Sequence, residues 1–177
     1  MVDNDFLYNI DLFSELEDRQ ITLIQGLLKE GKYKKGELII QEGIIGGALF
    51  IIVTGKVRIH LKFDDETIEL AKLGPGDFVG EMSLIDDHAA AATVEAEELT
   101  EVLILSREDF KSLLSNSTEL SAKLWESLAR NLNEKIRKTD DLVKAYYGLN
   151  KALCQDPQFR EFFTMCNFNR RQKKRGE

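Results

Sequence analysis

The chain has few of the residues that catalytic and metal sites use. Its 177 residues include two cysteines and two histidines. Cys154 and Cys166 belong to no CxxC pair or Cys/His cluster, so we expect no metal site and thiols that are buried or inert. His60 and His88 belong to no Ser/His/Asp or Cys/His arrangement. The sequence therefore predicts that the protein is not an enzyme.

Long hydrophobic runs are also missing. The longest, such as residues 48–53, are far too short to cross a bilayer. The N-terminus, Met-Val-Asp-Asn-Asp, is acidic and is followed by no apolar secretory core. These features predict a cytoplasmic protein without a membrane partner. The hydrophobic content of 43% is ordinary for a globular protein.

Positive charge is scarce except at the C-terminal end. The net charge is −7, which makes the chain as a whole a poor binder of nucleic acid. The exception is a run of basic residues, Arg170, Arg171, Lys173, Lys174 and Arg175. Such a run is more often a solvated tail than a binding site. The alternative is a transcription-regulator-like protein that binds nucleic acid or another anionic partner through this tail.

The hydrophobic pattern changes period along the chain. Residues 11–30 place apolar residues on one helical face, and Gly31 is expected to end that helix. Short runs rich in Val, Ile and Phe follow, separated by glycines, which is typical of a β-roll or barrel. The predicted strands are 37–40, 48–53, 56–61, 67–70, 92–96 and 101–105. Gly36, Gly55, Gly74 and Gly76 are expected to take positive φ at the corners.

Helices are predicted again in the C-terminal third. Ser106 and Asp109 resemble a capping box for a short helix that ends near Leu114. A long helix without proline is predicted from Thr118 to Tyr147, ended by Gly148. Asp156 and Pro157 predict the start of a terminal helix that carries phenylalanines 159, 162 and 163. This gives three predicted regions, residues 1–116, 117–148 and 149–177, of an α+β protein.

Five segments resemble one known family in the right order and spacing. They are residues 12–16, 33–43, 50–57, 73–78 and 78–94. The last, Phe-Val-Gly-Glu-Met-Ser-Leu-Ile-Asp-Asp-His-Ala-Ala-Ala-Ala-Thr-Val, resembles the phosphate-binding cassette of cyclic-nucleotide-binding domains, as found in the catabolite activator protein and the regulatory subunit of protein kinase A. The resemblance implies an eight-stranded antiparallel β-roll with a short N-terminal helix, a cassette helix and a long C-terminal helix.

The resemblance also implies a ligand, cyclic AMP or cyclic GMP, and no other cofactor. In the family, Glu81 would accept a hydrogen bond from the ribose 2′-hydroxyl, and the helix that follows it would point N–H groups at the phosphate. Gly80 would let the backbone approach the ligand closely. The full set of candidate ligand-binding residues is Gly80, Glu81, Met82, Ser83, Ala90, Ala91 and Thr93.

The cassette departs from the family pattern at one pair of positions. Ala89 and Ala90 stand where the family has Pro-Arg, and the arginine is the family's phosphate clamp. Its loss removes a contact worth roughly 1.5–3 kcal/mol. His88 is interpreted as an exposed loop residue rather than a substitute, and Arg58 is expected to face solvent on the same side of its strand as His60. The alanines are either natural drift or an engineered change.

A second departure lies in a turn. Ile44 and Ile45 occupy positions where the family usually has an acidic residue and a small polar residue. Local packing against the long helix is the favoured interpretation, and a contact patch for a partner is the alternative.

The long helix carries two apolar stripes. Leu120, Leu124 and Leu128 are placed to dock on the roll. The second stripe has strict 3-4 spacing, which predicts the seam of a parallel homodimer, with intramolecular core as the alternative. Its members are Ala122, Trp125, Ala129, Leu132, Ile136, Thr139, Val143 and Tyr146.

No helix-turn-helix, kinase, channel or cyclase segment is recognisable in the sequence. The predicted function is a stand-alone regulatory and interaction module that senses cyclic nucleotide weakly or no longer. A ligand would act by shifting the long helix. A protein partner is a further possibility.

Overall fold

A computed structural model describes residues 3–64 and 66–157. The helices of this part are α1 (Asn4–Tyr8), α2 (Asp18–Gln25), α3 (Met82–Ile85), α4 (Arg107–Asn116) and α5 (Thr118–Gln155). The strands are β1 (Lys29–Tyr33), β2 (Leu38–Ile40), β3 (Ala48–Thr54), β4 (Val57–Phe63), β5 (Glu66–Leu73), β6 (Phe78–Val79), β7 (Thr93–Ala96) and β8 (Thr100–Ser106).

The strands of the described residues form two four-stranded sheets. Their orders are β1-β8-β3-β6 and β2-β7-β4-β5, and every pairing is antiparallel. This arrangement confirms the α+β roll. The helix predicted beyond Pro157 and its phenylalanines, with the basic run 170–175 and Cys166, lies outside the described residues.

The chain divides into two compact units at Asn131 and Leu132. The first unit contains the roll and the beginning of α5, and the second begins at Leu132. The predicted region boundaries near residues 116 and 148 stay predictions. No helix in the described part of the chain has the length and apolar character needed to span a membrane.

The core of the first unit lies where the roll meets the helices. Leu120, Leu124 and Leu128 are at most 1% exposed and belong to the same buried cluster as Phe13 and Phe110. The predicted docking stripe of α5 is therefore confirmed. A second buried cluster draws its members from strands of both sheets, with Ile52, Val94 and Val102 among them.

The predicted helix over residues 11–30 is wrong at both ends. Leu12 and Phe13 are fully buried in turns, and α2 begins only at Asp18, where the Gln20 side chain accepts a hydrogen bond from the Glu17 N–H at 3.0 Å. Gly31 lies inside β1, opposite Val102. A side chain there would meet Ile104 at 2.9 Å, so close packing between the strands explains this glycine better than a helix end does.

Other boundaries are also corrected. The long helix continues through Gly148 to Gln155, because one glycine costs only about 1 kcal/mol within an otherwise favourable helix. The strand β6 was not predicted. Positive φ is confirmed at Gly36, Gly55 and Gly76, but Gly74 does not adopt it. The Ser106 cap is confirmed, since its hydroxyl accepts the Asp109 N–H at 3.1 Å.

Candidate phosphate-binding cassette

The cassette begins where β6 meets β3. Gly80 has φ of +87°, and a Cβ at this position would lie 2.4 Å from the Ala48 carbonyl oxygen. Any other residue would therefore be strained by its φ and would also clash with β3. The structure thus explains Gly80 by contact with the β3 backbone. The close approach of a ligand stays a prediction.

The helix α3 follows immediately, as the cassette pattern predicts. Glu81 is the residue before the helix and is only 5% exposed, and Ser83 is also buried. The Ser83 N–H bonds to the Gly80 carbonyl at 3.1 Å, and the Leu84 N–H bonds to the Glu81 carbonyl at the same distance. Met82 points outward and is 53% exposed. The four residues Gly80 to Ser83 therefore form one tight turn, with Glu81 inside and Met82 outside.

The second half of the cassette is paired with the segment after β2. The Ala90 N–H donates to the Ile44 carbonyl, and the Gly43 N–H donates to the Ala90 carbonyl, both at 2.9 Å. Ala89 forms an isolated antiparallel bridge with Ile45. Hydrogen bonding to residues 43 and 44 therefore already occupies both backbone groups of Ala90.

Two further candidate ligand-binding residues, Ala91 and Thr93, follow Ala90 in the chain. Thr93 is buried, and its hydroxyl accepts the Glu42 N–H at 3.2 Å. Ala91 is exposed. The segment from Glu42 to Gly46 thus contacts both halves of the cassette, because a Cβ on Gly46 would lie 2.7 Å from the Ser83 hydroxyl.

Arg107 is a site residue that sequence reasoning missed. Its side chain is 10% exposed and comes from the first residue of α4. Nη2 donates to the Gly46 carbonyl at 2.8 Å, Nε donates to the Ser83 carbonyl, and Nη1 pairs with the Asp87 carboxylate. One guanidinium therefore joins the turn before β3, the helix α3 and the loop after it. The only local signal was a cation at a helix N-terminus, where the helix dipole disfavours positive charge.

The two side chains weighed as replacements for the missing arginine are placed differently. The side chain of His88 is 86% exposed and lies 3.1 Å from Asp86, which confirms the exposed-loop interpretation. One nitrogen of Arg58, Nη2, donates to both carboxylate oxygens of Glu95, at 2.9 and 3.0 Å. Each of the two side chains is therefore already next to a carboxylate.

The solvent face predicted for β4 is corrected. Arg58 pairs with Glu95, and His60 lies opposite Thr93, so the two do share a face of β4. That face is not open to solvent at His60, which is 5% exposed. Strand alternation alone does not reveal such burial, because it gives the parity of a side chain and not what covers it.

Exposure decides two other predictions. Ile44 and Ile45 are 56% and 66% exposed, which is contrary to the favoured interpretation of local packing. Cys154 is exposed on α5, so of the two predicted alternatives, a buried or an inert thiol, the buried one is wrong there and the inert one stays a prediction. No group of three or more His, Cys, Asp or Glu side chains within residues 3–64 and 66–157 is arranged to hold a metal.

Comparison with known proteins agrees with this geometry. The family profile described as "Cyclic nucleotide-binding domain" matches residues 30–117. A solved N-terminal domain of a transcriptional regulator from Streptomyces coelicolor A3(2) is 31% identical, with a TM-score of 0.67, over 78% of this chain and 95% of that one. The chain belongs to the cyclic-nucleotide-binding domain family.

Curated relatives include both cyclic AMP and cyclic GMP proteins. The cyclic AMP receptor protein of Thermus thermophilus is 37% identical over 70% of this chain and 57% of its own length. A cGMP-dependent protein kinase of Drosophila melanogaster, isozyme 2 forms cD5/T2, is 34% identical over 76% of this chain but only 15% of its own length. The chain therefore spans about half of the first relative and a small part of the second.

Proposed function

We propose that this chain is a regulatory module that retains the frame of a cyclic-nucleotide site but has lost high-affinity binding. The observation that carries the proposal is Ala90, which stands at the position of the family's arginine in a cassette that departs from the family pattern only there and at Ala89. Glu81 remains buried at the start of α3. We expect cyclic AMP or cyclic GMP to bind with micromolar or weaker affinity.

The charge distribution around the cassette supports weak binding. A methyl group at Ala90 offers no charge to a phosphate, and Asp86 adds negative charge after α3. Arg107 is a poor substitute, because its guanidinium is buried and already bonded to Gly46, Ser83 and Asp87. An arginine contact to phosphate is worth roughly 1.5–3 kcal/mol, so its loss weakens binding about tenfold to hundredfold.

The role is proposed to be regulatory rather than catalytic. The cGMP-dependent kinases are matched over at most 17% of their length among the relatives compared, so kinase activity is not carried over to this chain. The family profile matches a ligand-binding domain. Both cyclic AMP and cyclic GMP stay candidate ligands, because the relatives include a protein named for cyclic AMP and a protein named for cyclic GMP.

Residual binding is tested with Glu81→Gln. With saturating cyclic AMP, amide resonances of Gly80 to Ser83 should shift in the unaltered protein, and Glu81→Gln should weaken that response several-fold. The matched control is Glu98→Gln, an exposed glutamate outside the cassette. Shifts that are absent in the unaltered protein at millimolar nucleotide would show that the site binds no cyclic nucleotide, and equal responses in the two variants would remove Glu81 from it.

The same proposal includes a parallel homodimer through α5. In the single chain, the seam residues Ile136, Val143 and Tyr146 are between 59% and 69% exposed. A helix face that stays exposed to solvent usually carries polar side chains rather than these apolar ones. In a parallel pair, Lys135 would face Asp140 of the second copy, the opposite-charge pairing that favours parallel coiled coils. Trp125 is partly engaged within its own chain, edge-to-face with Phe110 at 6.2 Å.

Ile136→Asp is expected to weaken dimerisation at least tenfold, because it places a carboxylate in the apolar seam of both helices. Sedimentation velocity over a concentration series measures the change. Ala145→Asp adds the same charge on the opposite face of α5 and should leave the dimer intact. A monomeric unaltered protein at high micromolar concentration would refute the seam, as would equal behaviour of the two variants.

A further inference from the structure

We propose that the outer surface of the cassette is a docking site for a basic, amphipathic segment of another protein. The surface consists of Ile44, Ile45, Met82 and Ile85, and we call it the aliphatic platform. Its members are between 42% and 66% exposed. None of them belongs to either buried cluster. The inference goes beyond the proposed function and does not depend on nucleotide binding.

Backbone contacts bring the members of the platform together. Met82 and Ile85 are three residues apart on α3, so they project from neighbouring positions of its surface. Ile44 and Ile45 are fixed by their pairing with Ala90 and Ala89. The two pairs meet at Gly46 and Ser83, because a Cβ on Gly46 would lie 3.3 Å from the Ser83 Cβ.

Arg107 ties the backbones of the two halves of the platform together. Its guanidinium bonds the carbonyls of Gly46 and Ser83, which follow Ile45 and Met82 in the chain. A preorganised apolar surface loses little entropy when a partner binds, so it favours binding more than a mobile surface of the same area. Four exposed aliphatic side chains on backbone that is fixed in this way are thus a surface suited to a partner.

The surrounding charge selects the partner. Glu42 precedes the platform, and its carboxylate accepts the Lys62 N–H at 3.2 Å. Asp86 and Asp87 follow α3 with side chains that are 46% and 80% exposed, and Asp87 is also paired with Arg107. Lysine or arginine flanking apolar anchors would complement these carboxylates. A second copy of the same surface would bring like charges together, and anionic lipid headgroups would be repelled. A basic amphipathic helix is therefore the occupant that fits.

The test uses two synthetic peptides with helical apolar spacing, one with lysine at every polar position and one with glutamate. Methyl resonances of isotope-labelled isoleucine and methionine are followed in the full chain. The lysine peptide should shift Ile44, Ile45, Met82 and Ile85, while Ile68, which is 43% exposed on β5, should not move. The glutamate peptide should bind at least tenfold more weakly.

Substitutions then test whether the lysine peptide binds at the platform. Ile44→Ser with Ile45→Ser, or Met82→Gln alone, should weaken the lysine peptide at least tenfold and threefold respectively. The control Leu23→Ser with Leu99→Ser removes two other exposed leucines and should leave affinity unchanged. The proposal is overturned if the shifts spread over the acidic surface or if the platform variants bind the lysine peptide with unchanged affinity. It is also overturned if the unaltered protein self-associates or binds anionic vesicles and the platform variants abolish this.

Discussion

Ala90→Arg is expected to tighten cyclic AMP binding by about tenfold to hundredfold, which corresponds to roughly 1.5–3 kcal/mol for a charge-assisted contact to phosphate. The reason is that the rest of the frame is present. The turn at Gly80, the buried Glu81 and the paired backbone of Ala90 are already in place. Of the family's Pro-Arg pair, replaced here by Ala89 and Ala90, the arginine is the side chain that would meet the phosphate. Calorimetric titration of both proteins measures the difference.

The control for this gain is Ala89→Arg. It adds the same charge one residue away, at the residue that bridges to Ile45. The non-specific electrostatic attraction of the nucleotide phosphate should therefore be equal in the two variants. Ala89→Arg should gain little affinity. If both variants gain equally, or if Ala90→Arg gains nothing, the loss of the arginine at position 90 is not what limits binding.

Arg107→Ala is expected to lower the free energy of unfolding by about 3 kcal/mol and to loosen the cassette. The side chain is buried and makes three bonds, two of them to the carbonyls of Gly46 and Ser83. Alanine would leave those acceptors without their donor, and a lost bond to a charged donor costs roughly 1.5–3 kcal/mol. Asp87 is largely exposed and contributes less, because water can solvate it.

Urea unfolding at constant m-value measures this loss, and hydrogen exchange locates it. Exchange should accelerate at Ser83, Leu84 and Ala90 before it does in the strands β3 and β8. Arg107→Lys should recover only part of the stability, since one ammonium lacks the planar fork that reaches three acceptors. The control is Arg19→Ala, which removes an arginine that is exposed to solvent. A loss below about 0.5 kcal/mol for Arg107→Ala, the range of ordinary surface changes, would contradict the structural role.

Local patterns predicted much of the fold. The Ser106 cap, the glycines at positions 36, 55 and 76, and the leucine stripe of α5 were each readable from neighbouring residues. The cassette motif named the family and placed α3 after Glu81. In these cases the signal and its structural consequence lie within a few residues of one another.

Other features could not be predicted because distant partners create them. The strand β1 has no apolar run of its own and is held by pairing with β8. Arg107 bonds to residues that lie 20 to 61 positions away, and no local pattern reports such contacts. His60 is a polar residue that is only 5% exposed, in a strand paired on both sides, with β5 and with β7. Ile44 and Ile45 are the opposite case, aliphatic side chains that the fold leaves exposed.

The central claim is that the cassette keeps its frame without its phosphate clamp. Its most direct test is a calorimetric titration of the unaltered full chain with cyclic AMP, repeated with cyclic GMP. We predict micromolar or weaker binding for both nucleotides. Submicromolar binding of either one would contradict the account, because it would require a phosphate contact that Ala90 cannot make and that Arg107 does not supply.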